Sequence, residues 1–557
     1  MAERLLRRGS RGEDVRQLQL DLRNAGFDPI QIDGIFGPNT DAAVREFQAS
    51  RGLDVDGIVG PLTRAALAQP VPPPPPPPPP TRFVRRSAWS LQSEANPFDP
   101  ITLAYARAVQ AMQARPITDP TSWAFQAAIH GTFRTVPAGV PWNECQHGGW
   151  FFLPWHRMYL FFFEKIVRVA ALAAGGPADF AIPYWNYDEA PPANSLPPAF
   201  RAGTLPDGTP NPLFVAPPLR SAGISGGGGL RQPEQTSPAR ALALRTFTAT
   251  IGPSFGGGAV GPRQFSGSTG SLEGAPHNPV HTAIGGPLGD ESCDQALMSH
   301  PFCAALDPIF WLHHANIDRV WNRWLALGDG RTNPSVAGWL SQTFAFHDET
   351  GSRVTLSVAD VLDSAAQLSY VYDDLPVISV PAVGVPPQPE QPPELVAATD
   401  QALELAGPPA SVELSLPPSA APRLEGVTAS AESRVFVNVE EIQAERDPGI
   451  TYAAYLNLPG DADDAARERH WIGTIGFFGI EAMNDPDQPH DGAPGMRQSF
   501  DVTDVVERLQ QEGVWDPASV TVSFRPLTSP PTGDEPTAEA EVEVPPVRIG
   551  RVSIFVS

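Results

Sequence analysis

Histidine is scarce in this chain, 11 among 557 residues, yet His147 and His156 stand nine positions apart in the aromatic run QHGGWFFLPWHRMYLFFFEKI at 146–166. Such a segment is buried on folding. A buried imidazole must satisfy both ring nitrogens, either by two hydrogen bonds in an ordinary core or by binding a metal. The other histidines bear on that choice, because six of the 11 fall into two triplets. The first is His130, His147 and His156. The second is His277 and His281 with one member of the pair His313 and His314. His277 and His281 lie at i, i+4, which on a helix puts their Cβ atoms about 5–6 Å apart on one face. His314 is preferred as the third member because Phe310 and Asp318 flank it at −4 and +4, as an aromatic wall and a carboxylate acceptor. His313 is rotated by about 100° and is expected to pack against the scaffold. Imidazoles without a carboxylate in either triplet favour copper over iron or magnesium, with zinc the competitor on ligand type alone.

The elements that must position these residues show in the periodicity. Amphipathic helices are expected over 101–114 and over 122–131, the second carrying His130 near its end. A loop over 143–151 leads into a helix beginning near Pro154, a residue tolerated in a first turn. Residues 187–270, rich in Gly, Pro and Ser, read as long loops. Asp307-Pro308 marks the start of another helix, on which Phe310, His314, Asp318 and Trp321 share a face. The three cysteines make no disulfide framework. Cys293 and Cys303 could pair, but nothing in the sequence shows it.

Outside this region the composition changes twice. DGIFGPNT at 33–40 recurs 23 residues later as DGIVGPLT at 56–63. Each copy supplies a turn, a Gly-Pro break and a Thr placed to cap a helix, over 41–48 and 64–68. A further helix over 12–25 carries Val15, Leu18, Leu20 and Leu22. Nine prolines at 72–80 form a polyproline II rod, about 28 Å long. After Pro-rich runs at 380–393 and 408–422, strands with a period of two are expected at 434–439, 452–458, 471–478, 520–524 and 551–556, interrupted by a helix at 503–511. They fit a β-sandwich or barrel. The acidic stretch 534–543 reads as a solvated loop. The expected organisation is 1–69 a small helical domain, 70–81 a polyproline linker, 82–375 the histidine-bearing domain, 376–424 a Pro-rich linker and 425–557 a β domain.

A formal charge of −24 argues against nucleic acid and anionic membrane surfaces as partners. No apolar run reaches transmembrane length. The opening MAERLLRRGSRGED has basic residues but no apolar core of a secretion signal.

The histidine segments carry a resemblance. HGGWFFLPWHRMYLFFFE at 147–164 resembles the first copper signature of tyrosinases and catechol oxidases, and DPIFWLHHANID at 307–318 resembles the second. PHNPVH at 276–281 is similar to the HxxxH element between them. The resemblance to type 3 copper proteins implies a mainly α catalytic domain with a four-helix core holding two copper ions. CuA would lie on His130, His147 and His156, and CuB on His277, His281 and His314. It also implies roles for Glu273, which would fix a water beside the metals, and for Asn278, which would help that water deprotonate a phenol. Cys145 would be bonded through sulfur to His147. The position that gates the substrate falls near Pro301, with Met298 and Phe302 beside it.

Residues 5–68 resemble the three-helix peptidoglycan-binding-like domain, which implies peptidoglycan or another glycan as partner. The C-terminal β region resembles the domain that covers the copper pocket in latent polyphenol oxidases and molluscan haemocyanins, which implies shielding by an aromatic such as Tyr455 or Phe477. The expectation is a polyphenol oxidase turning o-diphenols, and monophenols by ortho-hydroxylation, into o-quinones with dioxygen. The rivals are a haemocyanin-like oxygen carrier and a wall-targeted binding protein with a dead copper site. The wall-binding-like module points to the outside of a bacterial-type cell, reached by export with a partner or by release on lysis. The sequence leaves the oligomeric state open.

Overall fold

In the computed structural model the described residues are 4–25, 27, 29, 31–68, 82–287, 292–377, 393–399, 401–417, 424, 433–483, 495–516, 519–527 and 544–557. The polyproline stretch 70–81 and the acidic stretch 534–543 lie outside them. The chain divides into two units, Met1–Thr81 and Arg82–Ser557.

In the first unit the helices are Glu13–Asn24, Pro38–Ser50 and Pro61–Leu67. The second and third begin on proline, whose missing N–H costs nothing in a first turn. They therefore start three residues earlier than the sequence implied, and Thr40 and Thr63 sit inside the first turn instead of capping it. Both threonines are held by a buried glutamine. The Gln19 amide donates to Asp33 (3.0 Å) and to Thr40 (3.1 Å) and accepts from the Gly34 N–H (2.9 Å). Gln48 repeats the pattern with Asp56 (2.8 Å), Thr63 (3.4 Å) and Gly57 (2.9 Å). The duplicated motif is thus a loop clamped from inside. Val15, Leu18 and Leu22 join the core with Phe36, Val44 and Phe47, while Leu20 faces solvent.

The second unit contains the helices that bear the histidines and one that supports them. Pro100–Gln113 is capped by Asp99, whose carboxylate accepts from the Thr102 N–H, and it packs on the long helix Phe152–Ala173. Trp123–His130, Asn278–Gly285 and Ile309–Ala326 complete the group. Short strands brace it: β1 (Phe83–Arg85), the hairpin β2 (Thr343–His347) and β3 (Arg353–Ser357), and β4 (Tyr370–Tyr372), which pairs in parallel with β1. The long segment 187–270 is mostly loop, as its composition implied, with short helical turns.

The C-terminal part is two facing sheets. Its strands are β5 (Glu394–Thr399), β6 (Leu403–Leu405), β7 (Ala410–Ser415), β8 (Val435–Gln443), β9 (Thr451–Leu456), β10 (Trp471–Ile475), β11 (Met496–Asp501), β12 (Ser519–Leu527) and β13 (Val547–Val556). One sheet has the order β10-β9-β12-β7 and the other β11-β8-β13-β5, with β6 also on β13. This corrects the expected 376–424 linker. Residues 394–415 supply three strands, and β7 alternates buried and exposed positions along much of its length. Prolines around these strands hid them, since the breaks at 408–409 and 417–418 flank β7 without entering it. The helix Thr503–Gln511 is where the sequence implied.

Candidate metal centre

His130 is the last residue of Trp123–His130, a helix started by the Ser122 hydroxyl accepting from the Phe125 N–H. His156 sits early in Phe152–Ala173, His281 in Asn278–Gly285 directly after His277, and His314 in Ile309–Ala326. His147 comes from a loop pinned on both sides: its N–H donates to the Gln264 carbonyl and its carbonyl accepts from the Ser266 N–H, both at 2.9 Å. All six, and His313, are buried. In the first triplet ring centroids lie 5.2 Å (His130–His147), 5.6 Å (His130–His156) and 5.1 Å (His147–His156) apart. In the second they lie 4.5 Å (His277–His281), 5.0 Å (His277–His314) and 5.5 Å (His281–His314) apart. The triplets meet where His156 stacks on His314 at 4.5 Å.

The rings are oriented from outside. Nδ1–H of His130 donates to the Pro301 carbonyl (2.8 Å), that of His156 to Phe152 (2.8 Å), that of His281 to Met298 (2.7 Å) and that of His277 to Asn278 Oδ1 (2.8 Å). A donor at Nδ1 leaves the Nε2 lone pair free to bind a metal. In His130, His156 and His277 that Nε2 is buried with no partner, and His147 has no partner at either nitrogen. His281 and His314 bring their Nε2 atoms to 3.3 Å. Burial holds these rings neutral, reinforced by neighbouring imidazoles at all but His130: His130 is lowered to about 4, His277 to about 3, and His147, His156, His281, His313 and His314 well below their ordinary range. Neutral, converging imidazoles without a carboxylate among them suit copper.

Several expected residues are in reach. Phe310 packs 4.2 Å from the His314 ring. A Glu273 carboxylate oxygen accepts from the Gly148 N–H (2.8 Å), beside His147; its other oxygen has no partner, and burial pushes the carboxyl up to about 8. Asn278 is committed to His277: its amide oxygen accepts from Nδ1–H and orients that ring. Cys145 is buried and free, its sulfur within 4.8 Å of ligand nitrogens of His130 and His147. Met298 and Pro301, in the expected gate region, lend backbone carbonyls to His281 and His130.

Three expectations fail. The Asp318 carboxylate is not an acceptor for His314. Arg157 (2.5 Å), Arg85 (3.3 Å) and the hydroxyls of Tyr370 and Tyr372 (2.6 Å each) occupy it, because two buried guanidinium groups outcompete a neutral imidazole. His313 is not turned away: its ring is 4.8 Å from His281 and 5.3 Å from His277, with neither nitrogen partnered. The residue that reaches in from the β domain is also different. Phe477 lies in the β-domain core and Tyr455 in a separate cluster with Trp471 and Leu527. Phe478 enters instead, 4.2 Å from His281, 5.5 Å from His147 and 5.6 Å from His277. Phe265 stacks on His147 at 5.3 Å. Gly479, at φ +80°, lets the turn press on Phe265, where a Cβ would come within 2.2 Å of its ring. The sequence carried a signal for this turn in FFG at 477–479, but not for its partner.

Residues 120–327 match the common central domain of tyrosinase and 335–380 the polyphenol oxidase middle domain. The chain is 35% identical over 484 residues to tyrosinase HcTyr1 of Hahella sp. (strain CCB-MM4), covering 81% of this chain and 95% of that one. The chain belongs to the tyrosinase family. It is 32% identical to polyphenol oxidase A1, chloroplastic, of Vicia faba, over 49% of this chain and 45% of that protein. The fold is that of latent apple tyrosinase, with a TM-score of 0.55 at 23% identity over 86% of this chain and 98% of that chain. Residues 11–67 match a putative peptidoglycan binding domain and 392–557 a domain of unknown function, DUF7868. Members of the tyrosinase family bind two copper ions and oxidise phenols with dioxygen, and the buried histidines here are grouped closely enough that they could hold metal ions.

Proposed function

We propose that His130, His147 and His156 hold one copper ion and His277, His281 and His314 the other, in an enzyme that oxidises o-diphenols to o-quinones. What carries the reading is the set of buried rings whose Nδ1–H groups are tied outward while the Nε2 atoms converge. Copper supplies the redox chemistry with dioxygen. The protein supplies a dry aromatic pocket and fixed ligands. Glu273, held by Gly148 and kept protonated near neutrality by burial, is positioned to hold or release a proton beside the metals. The short reach from Cys145 to His147 supports a thioether between them, which peptide mass analysis would detect.

Copper analysis with parallel catechol and tyrosine assays tests the assignment. Two copper ions per chain and catechol turnover are expected, and tyrosine turnover reports ortho-hydroxylation. His156→Ala or His281→Ala should lose copper and activity together; full diphenol oxidation in either variant would overturn the ligand set. The depth of Phe478 among the histidines supports a shielding role for the β domain. The N-terminal match supports peptidoglycan or a related glycan as partner, and with it a wall-associated location. Pull-down of the full chain on insoluble peptidoglycan tests this.

A further inference from the structure

The segment between Cys293 and Cys303 touches both halves of the metal centre. The Met298 carbonyl accepts from His281 Nδ1 (2.7 Å) and the Pro301 carbonyl, three residues on, accepts from His130 Nδ1 (2.8 Å). One run of backbone thus sets the ring orientation of a histidine from each triplet. It is fitted closely to the helices that carry them. A Cβ on Gly131, next to His130, would come within 2.7 Å of the Pro301 carbonyl oxygen, and one on Gly285, at the end of the His281 helix, within 2.3 Å of the Ser299 nitrogen. The Ser299 hydroxyl donates to the Gly286 carbonyl at 2.7 Å.

Little regular structure holds this segment in place. It contains one short 3-10 turn, Leu297–Ser299, and a second, Ala304–Leu306, follows it. A disulfide, Cys293–Cys303, closes its ends across a separation of 10 residues, with Cys303 packed against Val215 and Leu297. Closing a loop covalently restricts the conformations it can adopt. A carbonyl that accepts from Nδ1–H fixes the tautomer and aim of a metal-binding ring.

We propose that the Cys293–Cys303 disulfide is a positioning bond for the whole metal centre: it fixes the loop whose Met298 and Pro301 carbonyls aim His281 and His130, so that retention of both copper ions depends on it together. This rests on His130 and His281 being ligands.

The test uses the full-length copper-loaded protein and the double variant Cys293→Ser/Cys303→Ser. Copper release to an excess of a copper(I) chelator is followed well below the thermal midpoint. Both ions should leave the variant faster by about 10- to 100-fold, in step, as loss of a partner behind a ligand implies. A cross-link that only stabilised the fold would lower the thermal midpoint and leave both release rates unchanged, and that result overturns the proposal. Acceleration at one ion alone overturns it too. If the variant does not fold, the copper-free wild type is treated with a phosphine, which together with water converts the S–S bond to two thiols and is itself oxidised to the phosphine oxide. Hydrogen exchange should then quicken at the Ser299, Cys303 and Ala304 amides, which donate to Ala296 and His300. Unchanged protection counts against the brace. A wild type that binds fewer than two copper ions fails the ligand assignment instead, and the brace with it.

Discussion

His313 and His314 put the residue-scale question most sharply. Both are buried and both lie among His277 and His281, but only His314 stacks on His156 and meets His281 nitrogen to nitrogen at 3.3 Å. Rotation about a helix separates neighbours by about 100° and so favoured His314 from the sequence. It failed to show that His313 turns into the same cluster. His314→Ala should therefore drop copper to about one ion per chain, the donor set on one metal being incomplete. His313→Ala should keep two; metal analysis of the purified variants separates the residues. The same crowding makes the copper-free protein sensitive to acid. In the unfolded chain a histidine takes up a proton below about 6.5. In the folded chain burial delays this to about 4 at His130 and about 3 at His277. Between those values the unfolded state binds more protons, so stability falls as pH falls, by up to about 1.4 kcal/mol per pH unit for each such ring. Chemical denaturation of the copper-free protein should show a loss of stability from pH 6.5 towards 4. A flat profile would mean that the rings are not held neutral.

At the scale of elements, a buried ionic network fixes the angle between the two longest histidine helices. Asp318 on Ile309–Ala326 is bound by Arg157, the neighbour of His156 on Phe152–Ala173, and by Arg85 on β1; Arg85 also pairs with Glu164 at 2.8 Å. Tyr370 and Tyr372 on β4 close the remaining acceptor sites. Asp318→Ala leaves two buried cations short of a partner and should cost about 3–5 kcal/mol of stability. Urea unfolding measures it, and a cost below about 1 kcal/mol would mean that the network is slack. The two helices that carry this network were legible because their apolar spacing and start signals, Pro154 and Asp307-Pro308, act locally. The partner of Asp318 was not, since Arg85 lies far away in sequence and no periodicity records a long-range ion pair. The three strands at 394–415 were hidden for a related reason: their signal is pairing with β12 and β13, while the prolines around them read as linker.

At the scale of the whole second unit, the β domain is seated by directed contacts on the long, mostly loop segment 187–270. The Arg240 guanidinium donates to the carbonyls of Asp501 (3.2 Å) and Trp471, the Thr474 hydroxyl donates to the Glu234 carbonyl (2.6 Å), and Arg497 reaches the Thr250 carbonyl (3.0 Å). These contacts hold the turn after β10 in place and with it Phe478, whose ring packs against histidines of both triplets. On the shielding role proposed above, a phenol enters only when that ring withdraws. Withdrawal forfeits the burial of a phenylalanine side chain, about 2 kcal/mol, equivalent to about thirtyfold in kcat/KM. Phe478→Ala should raise kcat/KM for catechol by about that factor with two copper ions retained. Removing the domain should raise it at least as far, provided the cut falls between 377 and 393. A cut at the boundary read from the sequence, near 425, would leave β5, β6 and β7 behind without their partners and would favour aggregation through unpaired edges. If neither the substitution nor the earlier cut changes the rate, Phe478 is a packing residue and the β domain a cap without control over the site.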